Sequence, residues 1–180
     1  RYRRDVVMIN LARSFPDKKY GELQDICRHT YAHFGKIIGE AVWFGASTPS
    51  RLRKSRVARL TNPELLNGCY DEGLSVFVMG SHSGNWELMG GAFAQAGIPL
   101  VGVAMKQKST GADRFINEYR TLIGMHITYK SGVREMFDML QKGWAIGLIM
   151  DQDTNRRSGI VLDFFGKPTN CVPGAASMAR

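Results

Sequence analysis

No run of roughly 18 or more consecutive apolar residues occurs in this chain, so none of its residues encodes a helix able to cross a bilayer. Cysteine is scarce. Cys27, Cys69 and Cys171 are odd in number and lack C-x-x-C spacing, which argues against a disulfide framework or a zinc site and for a reducing compartment. No secretory signal, internal repeat or low-complexity tract is visible. Acidic side chains are the minority, 16 against 24 Lys and Arg, giving a net charge of +8. Such a field attracts anionic partners, and nucleic acid, anionic lipid and an acidic carrier protein all qualify. Helix-turn-helix, zinc-finger and RNA-recognition signatures are missing, so nucleic acid is the least favoured of the three.

What is present is one domain's worth of sequence. The chain has 180 residues with an apolar fraction of 44%, enough to bury a substantial core. Residues 20–45 carry Leu23, Ile26, Cys27, Tyr31, Phe34, Ile37, Ile38, Ala41 and Val42 at helical spacing, which predicts a long amphipathic helix. A short helix or turn follows at 62–72. Strands are expected at Leu74–Met79, Leu100–Met105, 126–129, Trp144–Met150 and Ile160–Phe165. Between them the spacing predicts helices over 85–96, 110–123 and 132–142, each stopping near a glycine. The inward residues expected are Trp86, Met89, Phe93 and Ala96, then Phe115, Tyr119 and Leu122, then Val133, Met136, Phe137 and Leu140. Alternating strands and helices, with several strands as continuous apolar runs, predict an α/β fold with a largely parallel central sheet flanked by helices.

The chemistry concentrates in Gly80-Ser81-His82-Ser83-Gly84-Asn85-Trp86-Glu87. A buried strand running into a small-residue turn and then a helix is how α/β enzymes present a reactive group. The frame Gly80-x-His82-x-Gly84 has an imidazole where a nucleophile elbow has serine. It therefore favours a general base acting on a substrate hydroxyl over a covalent seryl enzyme. Lys106 and Asp151 follow other strands, so polar groups from separate strands are expected at one sheet edge. Asp151 and Asp153 have no histidine or further acid close by to complete a coordination set, and no metal is expected.

The pattern His82-x-x-x-x-Glu87 resembles the H-x-x-x-x-D/E signature of the lysophospholipid and glycerolipid acyltransferases. With Gly84-Asn85-Trp86 inside it, the match is closer to the late acyltransferases of lipid A biosynthesis. Asn10-Leu11 with Phe15-Pro16, Arg120-x-x-x-Gly124, Asp151-Gln152-Asp153 and Phe164-Phe165-Gly166 stand in that family's order. The resemblance implies a glycerolipid-acyltransferase-like fold and O-acyl transfer from an acyl-carrier-protein thioester to a hydroxyl of a lipid A precursor. No cofactor is implied. Acyl carrier protein, an anionic glycolipid and the inner membrane surface are the implied partners, and the cytoplasmic side of the cell inner membrane is the implied place. Residues 1–180 would be a single acyltransferase domain, an excerpt lacking an N-terminal membrane anchor and a C-terminal segment. Relatives acylating mannosylated phosphatidylinositol share the motifs, so the acceptor stays open. A hydrolase that uses His82 to activate water also stays open.

The resemblance gives each candidate a role beside its ordinary structural one. His82 is the expected base. Glu87 complements the helix dipole and is expected to orient the imidazole. Asn85 caps the helix or touches substrate, and Trp86 reads as core. Arg120 is expected to bind an acceptor phosphate, with Lys106 and Lys130 as weaker candidates. Asp151 is divided between substrate contact and a turn closed with Asn155 and Gly159. The phenylalanines at 164 and 165 read as core or as the lining of an acyl groove. The run Arg51-Leu52-Arg53-Lys54-Ser55-Arg56-Val57-Ala58-Arg59 holds five cations and no acid, and is either a solvated face or a contact for anionic lipid or carrier protein.

Overall fold

The four apolar runs between residues 74 and 150 meet in one parallel sheet. The computed structural model describes residues 3–45, 60–154 and 159–179. In chain order the elements are α1 (Arg4–Ser14), α2 (Tyr20–Gly45), α3 (Glu64–Asp71), β1 (Phe77–Gly80), α4 (Trp86–Gln95), β2 (Leu100–Ala104) and α5 (Thr110–Leu122). They continue with β3 (Met125–Tyr129), α6 (Val133–Gln141), β4 (Ala145–Ile149), β5 (Ile160–Phe164), β6 (Lys167–Cys171) and α7 (Gly174–Met178). The cation run 51–59 and Asn155 lie outside the described residues. The chain divides into two compact units, Ala41–Asp151 with Gly174–Arg180, and Arg1–Glu40 with Gln152–Pro173.

In the first of these units the described strands form a sheet ordered β1-β4-β2-β3, and every neighbouring pair is parallel. Successive side chains along a strand point to opposite faces, and the core splits accordingly. Val101, Ile146 and Leu148 pack with Met136 and Leu140 of α6 and Ala175 of α7. Leu100, Ala145, Val76 and Ile98 pack with Phe93 of α4. Tyr119 and Ile123 join Leu88 and Met125 in a third cluster. Leu100 and Ile146 are essentially closed to solvent, and each such side chain contributes about 1.5–3 kcal/mol as an upper bound. The α/β arrangement with helices on both faces is therefore as expected.

Helix rotation is where the pattern misleads. On α5, Tyr119 and Ile123 are buried while Phe115 and Leu122 are exposed. The helix is turned toward Ile116, Arg120 and Ile123, which brings Arg120 onto α4. On α6, Met136 and Leu140 face inward and Met139 joins them, leaving Val133 and Phe137 exposed. On α4, Phe93 is buried and Trp86 and Met89 half-buried, but Ala96 is the exposed C-cap. Gly90 lies close against β3: a Cβ there would meet the flexible Met125 side chain, which would have to shift.

The other unit contains α1, α2 as far as Glu40, and an antiparallel hairpin of β5 and β6. Two elements here were not expected. No residue of α1 is buried, so its periodicity carries no signal. β6 contains Lys167-Pro168-Thr169-Asn170, a poor strand composition whose proline pairs with Asp163 in a hairpin with no further strand beside it among the described residues. Its two-residue turn places Phe165 and Gly166 at positive φ, 53° and 66°, as a type I′ turn requires. The phenylalanines are not core: Phe164 and Phe165 are exposed and meet edge-on, and Phe165 meets Phe15 likewise. Along α2, Leu23, Cys27 and Ile37 are buried whereas Tyr31, Phe34 and Ile38 are exposed, so the apolar stripe is wider than the face that is covered.

Candidate active site

β1 ends at Gly80, and Ser81–Gly84 form the turn into α4. Gly84 adopts φ +60°, a left-handed conformation that favours glycine and lets the chain reverse within the turn. Asn85 then caps the helix: its Oδ1 accepts the Leu88 backbone N–H at 3.2 Å, an interaction worth ~1 kcal/mol. The hydroxyls of Ser81 and Ser83 hydrogen-bond across the turn at 2.6 Å. His82 stands between them, about one-third exposed at 31%.

Strand order decides what His82 meets. β4 lies directly beside β1, in parallel register with Gly80 opposite Ile149. Two residues past each member of that pair come His82 and Asp151. Asp151 clamps His82 twice: Oδ1 lies 2.7 Å from Nδ1, and Oδ2 accepts the His82 backbone N–H at 2.9 Å. Burial raises the Asp151 carboxyl, but the hydrogen bonds from the His82 ring, the His82 backbone and its own backbone, together with the charge of His82, outweigh that and hold it below its ordinary value. An ionised carboxylate can only accept, so Nδ1 carries the proton and the Nε2 lone pair faces away from Asp151. Trp86, half-buried, meets the imidazole edge-on with ring centroids 5.0 Å apart.

Glu87 is differently employed. Its Oε2 accepts from Arg120 Nε at 2.8 Å and its Oε1 from Nη2 at 2.7 Å, a bidentate pair with both side chains about four-fifths buried. The carboxylate expected from position 87 to orient His82 comes instead from position 151, because the first turn of α4 directs Glu87 at α5. The guanidinium expected to wait for a phosphate is held by Glu87, and Asp151, expected at the substrate, is held by the imidazole. Of the expected site residues, the structure joins His82 with Asp151 and Glu87 with Arg120, and leaves Asn85 as a cap.

Two further polar clusters flank the sheet. Asp113 Oδ1 accepts the Gln107 backbone N–H at 2.7 Å, and Oδ2 accepts the Tyr129 hydroxyl at 2.6 Å and Asn117 Nδ2 at 3.3 Å. The Gln107 and Tyr129 hydrogen bonds hold the Asp113 carboxyl below its ordinary range. On the other cluster, Glu135 takes hydrogen bonds from the buried Thr128 hydroxyl and from His126 Nε2, the latter at 2.9 Å. Thr128 and His126 lower the Glu135 carboxyl in turn. Neither cluster was legible in advance, since each joins β3 to residues of a flanking helix or loop.

A phosphatidylinositol mannoside acyltransferase of Mycolicibacterium smegmatis is 28% identical over 175 residues, covering 94% of this chain and 57% of that protein. Phosphatidylinositol mannoside acyltransferases from two Mycobacterium tuberculosis strains are 29% identical over 119 residues, covering 63% of this chain and 37% of theirs. The chain thus spans about half the length, or less, of the curated relatives it matches. The family described as bacterial lipid A biosynthesis acyltransferase matches residues 1–180, all of the elements above included. By that match the chain belongs to the bacterial lipid A biosynthesis acyltransferase family.

Proposed function

We propose that this chain carries the catalytic centre of an O-acyltransferase that moves a fatty acyl group from a thioester to a hydroxyl of a glycolipid. The observation that carries the reading is the double clamp of Asp151 on His82, which fixes the tautomer of a base at the mouth of a parallel sheet. His82 Nε2 takes the acceptor's hydroxyl proton as the oxygen attacks the thioester carbonyl. Asp151 holds the ring and stabilises the imidazolium that forms, a division of labour typically worth ~10²–10⁴-fold in rate. Backbone N–H groups at the start of α4 meet the negative oxygen of the tetrahedral intermediate. The thiolate then leaves with the proton from His82, so no acyl-enzyme forms.

The donor in this reading is an acyl-carrier-protein thioester, and the acidic carrier suits a chain of net charge +8. Two acceptors have support. The family's description favours a lipid A precursor, and the names of the relatives favour a phosphatidylinositol mannoside. Both are amphiphiles, so the reaction runs at a membrane surface, in this reading the cytoplasmic side of the inner membrane. Incubating the protein with radiolabelled acyl-carrier-protein thioester and each glycolipid decides the matter. Acyl-lipid formed only with acceptor present supports the reading and names the acceptor. Free fatty acid released at the same rate with or without acceptor makes the protein a hydrolase instead.

A further inference from the structure

We propose that Trp86 is a second positioning residue for the base: its indole holds the His82 imidazole at the tilt that leaves Nε2 open to the acceptor hydroxyl. The inference rests on the acyl-transfer reading above and names what, besides Asp151, keeps the ring in place. Asp151 reaches the ring at one corner, Nδ1, and its other oxygen accepts the His82 backbone N–H. A hydrogen bond at one corner fixes that corner but not the plane of the ring. The side chain's own preference does not fix the plane either, because the terminal torsion of histidine has broad, roughly two-fold wells. The Ser81 and Ser83 hydroxyls on either side bond each other at 2.6 Å. The face-and-edge contact on the imidazole comes from Trp86, with ring centroids 5.0 Å apart and planes at 72°.

The local backbone aims the indole at the base. Gly84, at φ +60°, turns the chain back, so that residue 86 comes up against residue 82. On one side of the tryptophan, Asn85 caps α4 through the Leu88 backbone N–H at 3.2 Å. On the other, Glu87 is locked to Arg120 of α5 by hydrogen bonds of 2.7 and 2.8 Å. Both sequence neighbours of Trp86 are therefore held, and the shielded Glu87–Arg120 pair acquires a use: it keeps the first turn of α4 in place under the indole. Sequence alone reads Trp86 as core, yet it belongs to none of the three buried clusters of the described residues and stays half-buried. Its ring lies instead on an imidazole that is 31% exposed. A base must be aligned with the proton it takes, and a small misplacement slows the step. An aromatic contact of this geometry corresponds to about a three- to tenfold effect on a rate that depends on it.

The test uses the full chain as wild type, as Trp86→Phe, as Trp86→Leu and as Phe93→Leu, which removes a buried ring about two turns further along α4. Single-turnover acyl transfer and acceptor KM are measured on each, and NMR of protein labelled with 15N-histidine follows the His82 Nδ1–H. Trp86→Leu should slow the chemical step about three- to tenfold with little change in acceptor KM, while Trp86→Phe keeps most of the rate. The Nδ1–H signal should broaden or exchange faster with water in Trp86→Leu and stay as in the wild type in the other two. Phe93→Leu should melt at a lower temperature yet turn over at the wild-type rate. Equal slowing in Phe93→Leu, or an unchanged rate and signal in Trp86→Leu, would overturn the positioning role. If Trp86→Leu does not fold, Trp86→Phe and the wild type decide: Overhauser contacts from the aromatic ring at 86 to the His82 imidazole uphold the role, and their absence overturns it. If the wild type transfers no acyl group at all, the acyl-transfer reading itself fails. The Nδ1–H signal then still decides whether Trp86 holds the ring: loss in Trp86→Leu alone upholds it, and no change overturns it.

Discussion

The guanidinium of Arg120 and the carboxylate of Glu87 lie fork to fork, Nη2 to Oε1 at 2.7 Å and Nε to Oε2 at 2.8 Å, joining α5 to the first turn of α4. With only 20% and 16% of their side-chain surfaces exposed, each group depends on the other for its hydrogen bonds. Removing one partner leaves a shielded charge unpaired, which costs more than removing both. Arg120→Ala and Glu87→Ala are each expected to destabilise the fold by about 1–3 kcal/mol, with the double variant well short of the sum. Thermal melts of the four proteins measure the coupling. A double variant that loses the full sum would mean the pair contributes nothing as a pair.

Acid stability follows from three carboxylates. Asp151, Asp113 and Glu135 are all held below their ordinary values, Asp151 despite the raising effect of burial and the other two by hydrogen bonds first. A carboxylate whose folded pKa is depressed stabilises the fold above its unfolded pKa, near ~4, and that stability is lost as pH falls through the folded value. The wild type should therefore lose stability steadily below about pH 4. Asp151→Asn should lower the melting temperature at pH 7 and shrink that difference as the pH is taken to 3. A difference that stays constant across that range would mean Asp151 does not titrate with folding.

The site was half legible in the sequence, for a reason that Asp151 makes plain. His82, Asn85 and Glu87 fall within one strand–turn–helix segment, where spacing alone fixes their neighbourhood. Asp151 is 69 residues from His82, and only the insertion of β4 next to β1 makes them partners. Periodicity reports which residues could face a core but says nothing of strand order. The same limit explains Phe115 and Leu122: they lie on the apolar side of α5, yet the helix is turned so that Arg120 reaches Glu87. In β5 an apolar run was read as a strand and is one, but its exposure along both faces could not be read from composition.

Gly90 gives a packing test that is independent of chemistry. Gly90→Ala puts a methyl group against Met125 Sδ, Cγ and Cε, so the methionine or the helix must move. Overpacking of this kind costs typically ~1–3 kcal/mol, about 2–4 °C per kcal/mol for a chain this size. The Gly90→Ala substitution should cost less in a Met125→Ala background than in the wild type. A Gly90→Ala protein melting at the wild-type temperature would mean that Met125 moves aside at a cost no larger than the ~0.5–1 kcal/mol that alanine gains over glycine within a helix.

In the proposed mechanism Asp151, not Glu87, is the partner of His82. The most direct measurement is the single-turnover rate of acyl transfer by Asp151→Asn, made on protein whose fold is verified by circular dichroism. The amide keeps the shape of the side chain but no longer fixes the proton on Nδ1 or stabilises the imidazolium. A fall of ~10²–10⁴-fold in rate with little change in acceptor KM is expected. A folded Asp151→Asn protein turning over at close to the wild-type rate would contradict the account.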